Sequence, residues 1–319
     1  MLHRLLSRTD PLARLLLVAI ALAALLPATG QARMIGQYVS NCAVFILFFL
    51  NGVRLPRAEI IRGLAHLRFL VPLALWVFGA MALTGWALAH LLAGILPAAV
   101  ALGFLYLGVL PTTVQSATAY CSLARGNVAN SVVAAASLNI LGVFVSAPFF
   151  ALLSGTSRAD VGGESLIKVL LLLLLPFVLG QIAQRWTREW VSDHRQLVAV
   201  MDRMTIGIAV YIAFSGAVEQ GIWRMLGMAD WAALLAAVGI MLLIGFGGAW
   251  LLSGALRLAH ADRIAFLFAG GQKSIAMGAP LAAVLFSPAM AGLLLIPLLT
   301  YHLIQLLLSA PLAARLRPD

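Results

Sequence analysis

Long apolar runs broken by short polar segments set the pattern of the chain. Ten such runs stand out, at about 12–28, 35–53, 68–91, 95–123, 128–153, 165–184, 197–217, 230–256, 262–285 and 289–314. A helix needs roughly 20 apolar residues to cross the hydrocarbon core of a bilayer. The pattern therefore predicts an all-α polytopic membrane protein of ten transmembrane helices, with residues 1–319 forming a single membrane domain. Residues 1–29 also carry the marks of a secretory signal: a basic start at Arg4 and Arg8, an apolar run, and small residues near Ala28–Ala32. The alternation of charge and the internal repeat, described next, require this segment as the first span.

Charge sharpens the picture. The formal net charge is +10, from 21 Lys and Arg against 11 Asp and Glu. Ten spans put both termini on one side. That side holds sixteen cations, among them Arg4, Arg8, Arg14, Arg54, Arg57, Arg62, Arg68 and Arg125. The other side holds four: Arg33, Arg158, Lys168 and Arg224. Cytoplasmic loops collect Lys and Arg, so both termini are expected in the cytoplasm of a multi-pass plasma (inner) membrane protein. The basic segment Arg54–Arg68 is expected to lie on the lipid headgroups. Composition then excludes whole classes of function. With 63% hydrophobic and 10% charged residues, the chain cannot coat a water-soluble particle, which removes cytosolic enzymes and nucleic-acid binders. Cys42 and Cys121 have no metal-ligand or disulfide spacing.

The two halves echo each other at an offset near 163 residues. Val145-Ser-Ala-Pro148 matches Leu308-Ser-Ala-Pro311, Ser137 meets Thr300, and Asn139 meets His302. Five spans per copy is an odd number, so the copies 12–153 and 165–314 are expected to be inverted repeats, a transporter architecture.

Each copy also carries a helix breaker in its fourth span. Pro111 is followed by Thr112-Thr113-Val114-Gln115-Ser116, and Gly270-Gly271 by Gln272-Lys273-Ser274. Proline removes a backbone donor and clashes with the preceding turn. A glycine pair weakens a helix through backbone entropy. Unwound backbone at membrane depth is tolerated only when buried in protein or lining a cavity, and a matched pair of breaks is the best sequence pointer to a mid-membrane substrate site. Freed carbonyls and Ser, Thr and Gln oxygens suit a hard cation. A half-helix N-terminus suits an anionic group. Lys273 is the one cation near the middle of a span, and no acid lies near the middle of any span. A charge there costs about 2.5–3.5 kcal/mol on insertion scales, so Lys273 either snorkels along the protein to an interface or stands as a fixed positive charge beside the substrate cavity.

These residues resemble the bile acid:sodium symporter family, in the branch for which bile-acid transport is not established. Three stretches carry the match: Phe48-Phe-Leu-Asn-Gly52, Pro111-Thr-Thr-Val-Gln-Ser116 with Ala124-Arg-Gly-Asn127, and Gly271-Gln-Lys-Ser274 with Gly278-Ala-Pro-Leu281. The resemblance implies two inverted five-helix repeats, broken helices 4 and 9 crossing at the midplane, and a panel domain (spans 1, 2, 6 and 7) moving against a core domain. It also implies uptake of an organic anion coupled to sodium. Carried over, the first sodium site uses Ser116 and Ser131; Gln272, a side-chain oxygen at the second break, is a further sodium candidate. The chain departs from the family's pattern at Ala135, where the family has a threonine, and near Ala269 and Gly270, where it has a glutamate. Span 3 offers only Thr84 and His90 as polar groups. Lys273 stands where the family has a neutral ligand. The expectation is that its ammonium takes roughly the place of the second ion, leaving room for one sodium at most.

The sequence thus predicts a secondary transporter of a small organic anion. Its substrate-binding candidates are Thr112, Thr113, Gln115, Asn139, Lys273, Ser274 and His302; its sodium candidates are Ser116, Ser131 and Gln272. No other cofactor and no nucleic-acid partner is expected; the lipid bilayer is, and the oligomeric state is left open. The alternative is a membrane regulatory or sensor protein that binds a ligand without moving it. An intramembrane enzyme is not expected, because no Ser-His-Asp set, carboxylate pair or HExxH motif is present.

Overall fold

A computed structural model describes residues 11–54, 67–155 and 170–317. The basic N-terminal residues, most of the Arg54–Arg68 segment, Arg158, Lys168 and the first five residues of the sixth predicted span lie outside the described residues. The described chain is helical: α1 Pro11–Leu25, α2 Gly30–Arg54, α3 Leu67–Leu91, α4 Ala98–Val109, α5 Gln115–Leu123, α6 Val128–Ser154, α7 Leu175–Asp193, α8 Arg195–Glu219, α9 Met228–Ala255, α10 His260–Gly271, α11 Ile275–Leu285 and α12 Pro288–Leu316. A single helical turn, Ile222–Met225, lies between α8 and α9. Among the described residues, six helices (α2, α3, α6, α8, α9 and α12) are long and apolar enough to cross a membrane, and α1 and α4 are shorter apolar helices. The fourth and ninth predicted spans are each a pair of half-helices, α4–α5 and α10–α11, parted by extended backbone at Leu110 and Gln272.

Local chemistry places several of these ends. The Asn127 side chain caps α6 by accepting the Asn130 N–H at 3.1 Å, and Gly155, at φ 62°, ends it in the left-handed conformation. Among the described residues three stretches are π-helical: Leu75–Ala80 within α3, Leu243–Gly248 within α9, and Leu170–Leu174 leading into α7. Large apolar side chains such as Leu25, Leu75, Leu243 and Leu251 point outward, as a lipid-facing surface requires.

The chain divides into two compact units. The first gathers α1, α2, α7, α8 and the stretch Ala279–Leu295. Its helices approach through small residues: a Cβ on Gly52 of α2 would run into the Phe177 carbonyl, and one on Gly180 of α7 into the Phe49 carbonyl. Gln181 and Gln184 of α7 donate to the last carbonyls of α2, at Gly52 (2.6 Å) and Val53 (2.9 Å). Ion pairs tie α2 to α8 at both ends, Arg33 with Glu219 and Arg54 with Asp202 (2.6 Å).

The second unit gathers α3 to α6, α9, α10, the start of α11 and α12 from Ile296 onward. Its apolar core runs through Phe69, Leu70, Leu73 and Val77 of α3, Ala117 and Cys121 of α5, and Ile264–Ala269 of α10. Both helix breaks lie in this unit.

Candidate functional site

Breaking a helix strands carbonyls, and the second unit shows where each one goes. Pro111 has no N–H, and residues beyond Val109 leave the helix, so the carbonyls from Leu107 onward lose their ordinary donors. Leu107 O takes the Leu110 N–H at 3.4 Å. Gly108 O and Leu110 O each take a hydrogen from Lys273 Nζ at 2.8 Å. Val109 O takes the Ser146 hydroxyl at 2.8 Å, Pro111 O the Ser274 N–H at 2.9 Å, and Thr112 O the Asn139 Nδ2 at 2.9 Å. Every carbonyl from Leu107 to Thr112 thus has a protein donor.

The second break is closed in the same manner from α12. Tyr301 donates its hydroxyl to Gly271 O at 2.5 Å. Gln305 takes the Lys273 N–H at 2.9 Å on Oε1 and returns Nε2 to Lys273 O at 3.1 Å. Gln272 Nε2 donates to Ser309 Oγ at 3.1 Å. Ser146 and Ser309 are the serines of the two Ser-Ala-Pro motifs, 163 residues apart, and each serves the break in its own half of the chain.

The breaks are then bonded crosswise. Gln272 Oε1 accepts the hydroxyls of Thr113 and Ser116, each at 2.6 Å, and those two hydroxyls lie 2.5 Å apart. Ser274 reaches Pro111 through its N–H. Lys273, fully buried, reaches across the first break to Gly108 and Leu110, and its third donor goes to Val77 O of α3 at 3.0 Å. That carbonyl is free for a local reason. In the π-helical turn the Met81 N–H bonds Trp76 O, five residues back, and so misses Val77 O, four back.

A pair of broken, polar helices within apolar helices points to a transporter's binding region. A family model described as the SBF-like CPA transporter family matches residues 10–318. The chain belongs to this family. Among relatives, a protein of Escherichia coli named "Putative symporter YfeH" is 36% identical over 310 residues, covering 96% of this chain and 92% of the relative. The mouse protein named "Sodium/bile acid cotransporter 7" is 24% identical over 298 residues, covering 88% of this chain and 83% of the relative. This SBF-like chain is therefore an integral membrane protein of a transporter family, with a small-molecule substrate and a lipid surround.

The site residues picked out in the SBF-like sequence separate into two groups. Thr113, Ser116, Gln272, Lys273 and Ser274 form the braced crossing, and Asn139 joins it through Thr112 O. The Thr112 hydroxyl is buried and bonded to no protein atom. Gln115 is exposed at the first residue of α5. Ser131 is buried on α6 against the Cys121 thiol and outside the Gln272 cluster. His302 takes the Gln305 amide on Nδ1 at 2.9 Å, one step from the Lys273 backbone. Tyr301, Ser146 and Ser309 were not singled out. The paired Ser-Ala-Pro motifs hold the signal for both serines. For Tyr301 the signal is weaker: a tyrosine beside His302, on a helix otherwise nearly all apolar.

Proposed function

We propose that the chain is a secondary active transporter that moves a small organic anion by alternating access. In this reading residues 12–153 and 165–314 are inverted repeats of five helices each, set in the inner membrane with both termini cytoplasmic. The observation that carries the reading is the crosswise bonding of two broken helices. The matched positions of Ser146 and Ser309, each bonded to the break in its own half, and the π-helical turns in α3 and α9 support the repeat. The separation of α1, α2, α7 and α8 into one compact unit supports a panel and core division.

The anion is taken at the N-terminus of α5, where unpaired amides carry partial positive charge. Gln115 is the exposed polar side chain there, with half-buried Asn139 bonded to the Thr112 carbonyl just before it and the ammonium of Lys273 adding a positive field from Leu110. Coupling uses at most one sodium ion, with Ser116, Ser131 and Gln272 as its candidate ligands. The name of the mouse relative supports sodium as the ion. An entering sodium would take over the Gln272 carbonyl and the hydroxyl oxygens of Ser116 and Thr113, turning their protons away.

A thermal-shift screen of purified protein against organic anions, with and without sodium, identifies ligands. Proteoliposome flux then decides the class. Saturable, gradient-driven uptake of a screened anion is the expected result, with Gln115→Ala weakening its apparent affinity about tenfold, or about 1.4 kcal/mol. Binding without flux would instead mark a regulatory or sensor protein.

A further inference from the structure

The chain contains only two lysines, Lys168 and Lys273, against 19 arginines. The second is fully buried in the middle of a broken span. Among the described residues the ion pairs are Arg33–Glu219 and Arg54–Asp202, so Lys273 has no carboxylate there. Nor does it snorkel to an interface, since its Nζ ends on Val77, Gly108 and Leu110 carbonyls at 2.8–3.0 Å. Three acceptors match the three N–H bonds of an ammonium; a neutral amine has two.

Each acceptor is backbone, and each is freed by an irregularity: the π-helical turn in α3 for Val77, and the break after α4 for Gly108 and Leu110. A ring of backbone carbonyls stripped of helical partners is how proteins replace the hydration shell of a monovalent cation. We propose that Lys273 is a tethered cation seated in a backbone carbonyl site, and that the site itself accepts a free primary ammonium once the side chain is shortened. The charge that holds α3, α4 and the second break together thereby belongs to the protein and is never released to solvent. This goes beyond the transport reading and does not rest on what is carried.

The test uses the full-length protein in detergent. Lys273→Ala removes the ammonium and most of its stem. Methylammonium keeps three N–H donors and restores a methyl group where Cε was, while tetramethylammonium has the same charge and no donor. The expected result is that Lys273→Ala melts below the wild type and regains stability saturably with methylammonium, by on the order of 5–10 °C at a hundredfold excess over its Kd. Wild type should not respond, and tetramethylammonium should rescue neither form. Rescue by both cations, rescue by neither, or a Lys273→Ala variant as stable as the wild type overturns the proposal. A second measurement needs no variant. With ¹⁵N-lysine incorporated, the Nζ resonance of Lys273 should be that of an ammonium whose protons exchange at least tenfold more slowly than those of free lysine under the same conditions. A Lys273 signal with amine character, or one exchanging as fast as free lysine, overturns the proposal even where the alanine variant fails to fold.

Discussion

Gln272 is the point at which the two breaks hold each other, and replacing it with leucine tests that. Leucine keeps nearly the same volume, so the cavity left is small and the loss is polar. In the native site Oε1 takes hydrogens from Thr113 and Ser116, and Nε2 gives one to Ser309. After Gln272→Leu the two hydroxyls, 2.5 Å apart, can still pair with each other. Only one of them can donate in that pair, so one buried O–H is orphaned, at about 1–3 kcal/mol. The lost bond to Ser309 adds about 1 kcal/mol. The expected cost is about 2–4 kcal/mol, a fall in Tm of roughly 4–16 °C at 2–4 °C per kcal/mol. Thermal unfolding in detergent reads this directly. The sharper assay is a double-mutant cycle with Ser116→Ala, because removing the Ser116 hydroxyl also removes the orphan that leucine creates. The double variant should cost at least about 1 kcal/mol less than the sum of the single ones. Additivity within about 0.5 kcal/mol, or a Tm within 2 °C of wild type for Gln272→Leu, would refute the role given to this side chain.

Further outcomes follow from single atoms. Tyr301→Phe leaves Gly271 O buried without its hydroxyl donor and should cost about 1–3 kcal/mol in thermal unfolding; an unchanged Tm would mean that another donor takes over. Gly52→Ala should lower both Tm and yield on size-exclusion chromatography, since its Cβ meets the Phe177 carbonyl. Gly239→Ala, which meets nothing, should be neutral or stabilise by up to about 1 kcal/mol. Uptake should show a sodium Hill coefficient of one or less, and a coefficient near two would require a second free cation beside Lys273.

The helices were legible because apolar runs and the Pro111 and Gly270-Gly271 breaks are statements about local chemistry. The polar residues after each break were legible for the same reason, since Thr113, Ser116 and Gln272 have few uses inside lipid other than one another. The destination of the Lys273 ammonium was not. Its acceptors are main-chain carbonyls, which carry no residue identity, and Val77 is available only because α3 shifts to π-helical bonding over Leu75–Ala80. No composition marks that shift: Leu75-Trp-Val-Phe-Gly-Ala80 reads as ordinary apolar helix. The position of Lys273 in a broken span was legible; that its three hydrogens go to backbone was not. Likewise Ser146 and Ser309 are single hydroxyls in apolar helices, and only the structure shows that one donates to the Val109 carbonyl and the other accepts from the Gln272 amide.

A tethered cation and a free one have different consequences for the charge moved per turnover. A sodium ion that enters on one side and leaves on the other counts once in every cycle. The ammonium of Lys273, whatever excursion it makes, returns to its starting place when the cycle closes, so it contributes nothing to net charge. A carrier taking two sodium ions with a monovalent anion moves one positive charge per turnover. With Lys273 in place of one ion, a single sodium carried with one monovalent anion moves none. One elementary charge across 100 mV is worth about 2.3 kcal/mol, or roughly fiftyfold in the accumulation ratio reached at equilibrium. In proteoliposomes clamped with potassium and valinomycin, the steady-state accumulation of a monovalent anion should therefore be the same, within about twofold, at 0 and −100 mV. Accumulation that rises tens-fold at the negative potential would show that a free second cation crosses with the substrate, and Lys273 would then be a structural brace with no part in setting the stoichiometry.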